Sequence, residues 1–155
     1  MSTIKVDTYL TRGGASEIAI DKLKGASSAG SMTIVGEGGS TTTNLQQGLN
    51  KVWANLNGSS FGLRDSFNVA SATDNGTGDY TETFTNSMAN ANYSPACVVQ
   101  DDQSDTGNMG GTAATIYRAS TGLATGNCRI GTGVAGTSTR NDDTTLSIII
   151  AGDLA

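Results

Sequence analysis

Histidine is absent from the 155 residues. That removes the usual general base near neutral pH and the commonest metal ligand. Serine and threonine are abundant, but none has an imidazole to activate it as a nucleophile. Charge is scarce at 15%, and hydrophobic residues reach only 36%; both values are low for a globular chain. The few basic residues form no patch that would neutralise phosphates, so nucleic acid is not an expected partner. No run approaches the roughly 20 apolar residues that span a bilayer. Met1–Asp7 also lacks the apolar stretch of a secretory signal, so neither membrane insertion nor secretion of the usual kind is expected. Proline occurs once, as Pro95, and cysteine twice, as Cys97 and Cys128. Pairing cannot be read from two distant cysteines. The simpler expectation is two small buried thiols in neighbouring strands.

Gly, Ser, Thr and Asn fill the balance, with 21 glycines. Such a composition suits short strands joined by many turns rather than long solvated helices. The net charge of −5 is unevenly placed. In residues 1–50, Lys5, Arg12, Lys22 and Lys24 balance Asp7, Glu17, Asp21 and Glu37, so the whole excess falls on residues 51–155. The low apolar content leaves a lone chain with a thin core, which oligomerisation commonly remedies.

The first 50 residues read as an arm. Residues 2–10 alternate as a short strand, Ser16–Lys24 fits a strand or a helical turn, and Gly25–Gly30 reads as a flexible connection. Ser31–Val35 is a second short strand. Thr43–Asn50 is the best helix candidate, with Thr43 as cap, Gln46 three residues on, Leu45 and Leu49 four apart, and Gly48 weakening it. From Lys51 onward the alternation is clearer. Val52, Ala54 and Leu56 share one face of a strand, and Trp53, Asn55 and Asn57 the other. The Gly-rich turn Asp74–Asp79 joins Asn68–Thr73 to Tyr80–Thr85 as a hairpin. Ala96–Val99, Thr115–Ala119 and Asn127–Ile130 read as strands. Val134–Thr139 and Thr144–Ala151 flank Arg140–Asp143 as a second hairpin. About seven strands at this spacing predict an all-β sandwich or jelly-roll-like knob over residues 51–155, with an extended N-terminal arm over 1–50 and one short helix.

Candidate chemistry is sparse. Asp101, Asp102 and Asp105 lie in one polar loop, and Asp142 and Asp143 in another. Loop carboxylates suit calcium, but the spacing fits no defined calcium loop, and solvated acidic turns explain them. No feature sets two carboxylates across a cleft for glycoside hydrolysis. Asp74–Asp79 lacks the lysine and the following helix of a phosphate-binding loop. Asn57-Gly-Ser59 and Asn75-Gly-Thr77 match the glycosylation pattern and read more simply as turns. Trp53 is expected to fill the core, while Tyr93 and Tyr117, nearer long loops, are the better candidates for exposed rings that stack on a sugar. No catalytic, cofactor or metal-ligating residue is expected.

A family resemblance adds to this. The run Thr43-Asn-Leu-Gln-Gln-Gly-Leu-Asn-Lys-Val-Trp-Ala-Asn-Leu-Asn-Gly58 resembles a segment of small virion fibre proteins of tailed bacteriophages. Arg64–Thr81, Met88–Tyr93 and the opening Met1–Thr8 are similar to the same proteins. The likeness covers residues 1–10 and 43–93; residues 94–155 carry no matching motif. It implies a homotrimer with an N-terminal attachment segment and a distal β-rich knob, and supplies no catalytic residues. The expectation is therefore a non-enzymatic virion protein, either a tail fibre or a head fibre. Residues 1–50 would attach to other virion proteins. The knob would bind a host-surface glycan or protein through Asp101, Asp102, Asp105, Tyr117, Asn141 and Asp142, because recognition tends to sit on loops held by a rigid scaffold. The rivals are a capsid decoration protein that stabilises the shell, and a glycan-cleaving tail enzyme.

Overall fold

A computed structural model describes residues 21–23, 25, 32–100, 112–116 and 122–155. The expected strand at 2–10, most of Ser16–Gly30, the Asp101–Gly111 loop and Tyr117 lie outside the described residues. The remainder is mostly β, with one short helix and two packed sheets, a β-sandwich-like architecture. The first sheet has the order β4-β3-β11-β7, built from β3 (Val52–Asn57), β4 (Gly62–Phe67), β7 (Ser94–Gln100) and β11 (Thr145–Ala151). The second has the order β5-β6-β10-β8, built from β5 (Val69–Gly76), β6 (Asp79–Phe84), β8 (Thr112–Ile116) and β10 (Asn127–Val134), with β9 (Leu123–Ala124) also on β10. All pairings are antiparallel.

The period-two pattern sets the core. Val52, Ala54 and Leu56 from β3 and Leu146, Ile148 and Ile150 from β11 face Tyr80 and Phe84 from β6 and Cys128 and Ile130 from β10. The chain moves from the first sheet to the second at Asn68, which takes a left-handed conformation (φ 60°). Asn tolerates that region because its short side chain bonds locally. Here Asn68 donates to the carbonyls of Lys51 and Asn86 and accepts from the Asn86 amide at 2.7 Å. The expected hairpin at Asp74–Asp79 forms as β5 and β6, joined by Thr77 and Gly78.

Three expectations are corrected. The helix α1 (Leu45–Gly48) is a single turn, capped by Asn44, whose Oδ1 accepts from the Gln47 amide at 3.2 Å; Thr43 instead belongs to β2 (Thr42–Asn44), paired with β1 (Thr33–Val35). Val134–Thr139 and Thr144–Ala151 do not form a hairpin, because β10 and β11 lie in different sheets. Gly136 (φ 76°) lets the chain close a tight loop in which the Val134 amide donates to the Thr139 carbonyl at 2.9 Å, and residues 140–144 then cross to the other sheet. The cysteines are free and lie on facing sheets, Cys97 half-buried on β7 and Cys128 buried on β10.

Candidate functional site at the two ends of the sandwich

The strand directions give the domain a near end, where the chain arrives from residues 32–50, and a far end. At the near end the Lys51 amide donates to the Ile150 carbonyl at 2.8 Å. Lys51 is buried, and its Nζ donates to the carbonyls of Gln46 and Leu49. Those carbonyls lie at the end of α1, where a cation is favoured. Gln47 donates to Asp153, fastening the helix to the last residues of the chain. Leu49, Phe67, Ala89 and Leu154 line a groove of about 700 Å³ here.

At the far end the Gly58 amide donates to the Asp143 carbonyl at 2.9 Å and the Gly78 amide to Asp142 Oδ1 at 2.6 Å. The turns after β3 and β5 and the 135–144 connection therefore meet there. Asp79 is the centre of charge. Arg129 grips it through two bonds of 2.7 Å, and Arg140 adds a 3.1 Å contact. The paired guanidinium of Arg129 outweighs partial burial and holds the Asp79 carboxyl below the usual carboxylate range. Asp142 also accepts from the Tyr80 hydroxyl at 2.7 Å. Burial first, and then Asp142, push the Tyr80 phenol above its ordinary range. Beside this cluster a polar cleft of about 430 Å³ runs along β8 and β10 under the 134–140 loop, with Thr115, Thr132 and Arg140 among its walls.

Asn141 and Asp142 thus stand at the far end as connecting residues with internal partners. The Asn141 backbone carbonyl accepts from Thr132 Oγ1 at 2.6 Å, and Asp142 Oδ1 ties Gly78 and Tyr80 together. Asp101, Asp102, Asp105 and Tyr117 fall outside the described residues. The described strands on either side of the first three end at the far end, Gln100 pairing with Thr145 and Thr112 with Val134. Ile116, just before Tyr117, pairs with Ile130 in mid-strand.

The aromatic assignments need revision. Trp53 lies on the outer face of the first sheet, 37% exposed, because Val52 and Ala54 take the inward positions. Tyr93 is buried; its hydroxyl sits 2.8 Å from the Asn127 carbonyl and 3.1 Å from that of Ala124, donating to one at a time. Alternation reads Phe61 as a strand position with Leu63, Phe67 and Val69, but it precedes β4 in a turn. It is exposed in the turn after β3, its ring parallel to that of Tyr80 with centroids 6.1 Å apart. Its place directly after Asn57-Gly-Ser-Ser was the available signal. Asn57 Oδ1 accepts from the Ser60 amide at 3.1 Å, an Asx-type turn that sets Phe61 at the tip.

Among the described residues no group of three or more His, Cys, Asp or Glu is arranged to hold a metal ion, and no helix is long and apolar enough to cross a membrane. One buried carboxyl stands apart. Glu82 on β6 is 0% exposed, and neither of its oxygens has a hydrogen-bond partner. Burial pushes its pKa up to about 7. Its cross-strand partners are Ala72 and Cys128, with Cys97 nearby on the facing sheet.

The fold and its two ends define a β-sandwich-like domain with polar loops at one end and a short N-terminal connection at the other. No family model matches the chain, and neither the curated proteins nor the solved structures contain a match.

Proposed function

We propose that the chain is a non-enzymatic structural component of a bacteriophage virion, a fibre-like homotrimer. Its N-terminal arm (1–50) attaches to other virion proteins, and its β-rich knob (51–155), sandwich or jelly-roll-like, faces a host-surface glycan or protein. The observation that carries this reading is the polarity of the domain. Residues 32–50 join the sandwich at Lys51 and Asp153, while the Gly76–Asp79 turn, the Arg140–Asp143 connection and both flanks of Asp101–Gly111 lie at the opposite end. A molecule that attaches by one end and recognises with the other needs this separation, and the resemblance of residues 43–93 to small virion fibre proteins points the same way.

The capsid decoration reading draws on a different observation, the exposed apolar residues Trp53, Phe67 and Ile149 on one sheet face, which would suit packing on shell subunits. Mass spectrometry and antibody labelling of purified particles separate the two. The fibre reading expects the chain in the particle, with label on the tail or on projecting head fibres. Label spread evenly over the shell favours decoration. Absence from particles refutes both. Release of oligosaccharide from host polysaccharide by the purified chain would favour the enzyme instead.

A further inference from the structure

The chain holds two Asn-Gly pairs, Asn57-Gly58 and Asn75-Gly76. Asparagine is among the thermolabile residues. Its weak point is attack by the next residue's backbone nitrogen on the side-chain carboxamide carbon, and a following glycine leaves that nitrogen unshielded by any Cβ. The fold treats the two pairs oppositely. Asn57 keeps its place in the β3–β4 ladder opposite Gly62. Its Oδ1 accepts from Ser59 Oγ at 3.2 Å and from the Ser60 amide at 3.1 Å. Gly58 is buried, its amide donates to the Asp143 carbonyl at 2.9 Å, and a Cβ added there would collide with that carbonyl and with the Tyr80 hydroxyl. The Gly58 nitrogen cannot swing onto the Asn57 carboxamide without undoing that packing. Asn75 lies outside the ladder. Asp74 pairs with Tyr80 and Gly76 with Asp79, so Asn75 is the extra residue of a β-bulge and has no cross-strand partner. Residues 74–77 are exposed, and a Cβ added to Gly76 would meet nothing within 4 Å. The Gly76 amide donates to Asp74 Oδ1 at 2.8 Å. A carboxylate thus sits on the proton that this nitrogen must lose, within the reach expected of a general base.

We propose that Asn75 is a self-modifying site, at which the folded protein converts its own carboxamide to a carboxylate. The Gly76 nitrogen passes its proton to Asp74 and forms a bond to Asn75 Cγ, closing a succinimide ring. The Cγ–Nδ2 bond breaks, and Nδ2 takes up that proton and leaves as ammonia. Water then opens the ring at either carbonyl, giving aspartate or isoaspartate at position 75, and no reactant other than water is needed. The change reaches the charged cluster of the far end. Asn75 Nδ2 lies 2.9 Å from Thr81 Oγ1 and 3.4 Å from Asp79 Oδ1. The product has no donor to offer Asp79 and sets a further carboxylate beside it, with Asp74 adjacent and Arg129 and Arg140 already engaged on Asp79. Like charges this close repel, so conversion loosens the turn and adds to the net charge of −5 at the end that carries the loops. This chemistry needs only the turn and stands apart from the virion role.

The test is peptide mapping by mass spectrometry on the full chain held at mildly alkaline pH. In the folded protein Asn75 should convert about tenfold faster than Asn57, the rate penalty of the hydrogen bonds that attack by Gly58 must break. In strong urea the two should convert at similar rates, since glycine follows both. Asn57 keeping pace with Asn75 in the folded chain, or Asn75 surviving intact for as long as the unfolded chain takes to convert, overturns the proposal. Asn75→Gln, whose longer side chain closes a ring far more slowly, should abolish the acidic shift of the ageing protein on ion exchange. A shift that persists in that variant places the reaction elsewhere and overturns the proposal as well. Asp74→Asn keeps an acceptor for the Gly76 amide but is a far weaker base, and should slow conversion severalfold; an unchanged rate overturns the part given to Asp74. Asn75→Asp reproduces the charge of the product and should lower the melting temperature. A variant that melts at the wild-type temperature overturns the loosening of the turn.

Discussion

Replacing Glu82 with methionine should stabilise the protein above neutral pH and abolish most of its pH dependence between about 5 and 8. The reasoning starts from burial. The Glu82 carboxyl is fully enclosed between the sheets with no hydrogen bond to either oxygen, and its folded pKa is raised from 4.5 to about 7. Below 4.5 the group is neutral in both states, and its contribution is fully present. As pH rises from 4.5 to about 7 the unfolded chain releases this proton while the folded chain keeps it, so stability falls. Above about 7 both states are ionised and the loss is complete. The gap corresponds to roughly 3 kcal/mol. The neighbouring thiols do not share in this, because burial, followed by Glu82, raises Cys97 to about 11, and burial, followed by Cys97, raises Cys128 to about 12. Methionine has similar volume and no charge to desolvate. The assay is urea unfolding of wild type and Glu82→Met at several pH values between 4.5 and 8, read as the difference between the two so that other titrations cancel. The variant's advantage should grow by about 3 kcal/mol across that range. A difference that stays flat, or a wild type that gains on the variant as pH rises, refutes the picture of an enclosed, unpartnered carboxyl.

Other expectations follow from the far end. Asp79→Asn should cost about 2 kcal/mol at neutral pH through loss of charge-assisted bonds to Arg129, checked by thermal and urea melts. Because the Asp79 pKa is lowered, that cost should shrink as pH falls through and below 3.8, where the wild-type carboxylate also takes up its proton. Gly78→Ala should destabilise by several kcal/mol, since the position has φ 60° and an added Cβ would collide with the Thr132 carbonyl; Gly76→Ala, at φ 126° but with open space around it, should cost less. Replacing Asp101, Asp102 and Asp105 together with Ser should weaken adsorption of particles to host cells while leaving melting temperature and subunit number nearly unchanged. Unaltered adsorption would take that loop out of the binding surface.

Where alternation and turn chemistry agreed, the sequence was readable. Val52, Ala54 and Leu56 point inward as period two requires, and the Asp74–Asp79 turn closes the hairpin its glycines suggest. The size of Trp53 argues for the core, whereas its position between two inward residues puts it outside. Nearness to a loop suggests an exposed Tyr93, but its hydroxyl is held inward by the carbonyls of Ala124 and Asn127. The partner of a strand is not written in its neighbours. Val134–Thr139 and Thr144–Ala151 look like two arms of a hairpin, yet a tight loop at Gly136 ends the first and a crossing sends the second to the other sheet. The Asp79–Arg129–Arg140 cluster was invisible for a related reason. Its members are 50 or more residues from Asp79 in sequence, and only the β6–β10 register and the folding back of the 135–144 connection bring them together.

The central claim is that attachment and recognition occupy opposite ends of one domain. A cryo-electron microscopy reconstruction of particles carrying the chain tests it directly. The account predicts density for the sandwich projecting from the particle, with Lys51 and Asp153 toward the virion and the Gly76–Asp79 and Arg140–Asp143 segments outward. A sandwich whose far end is buried against the virion would contradict it.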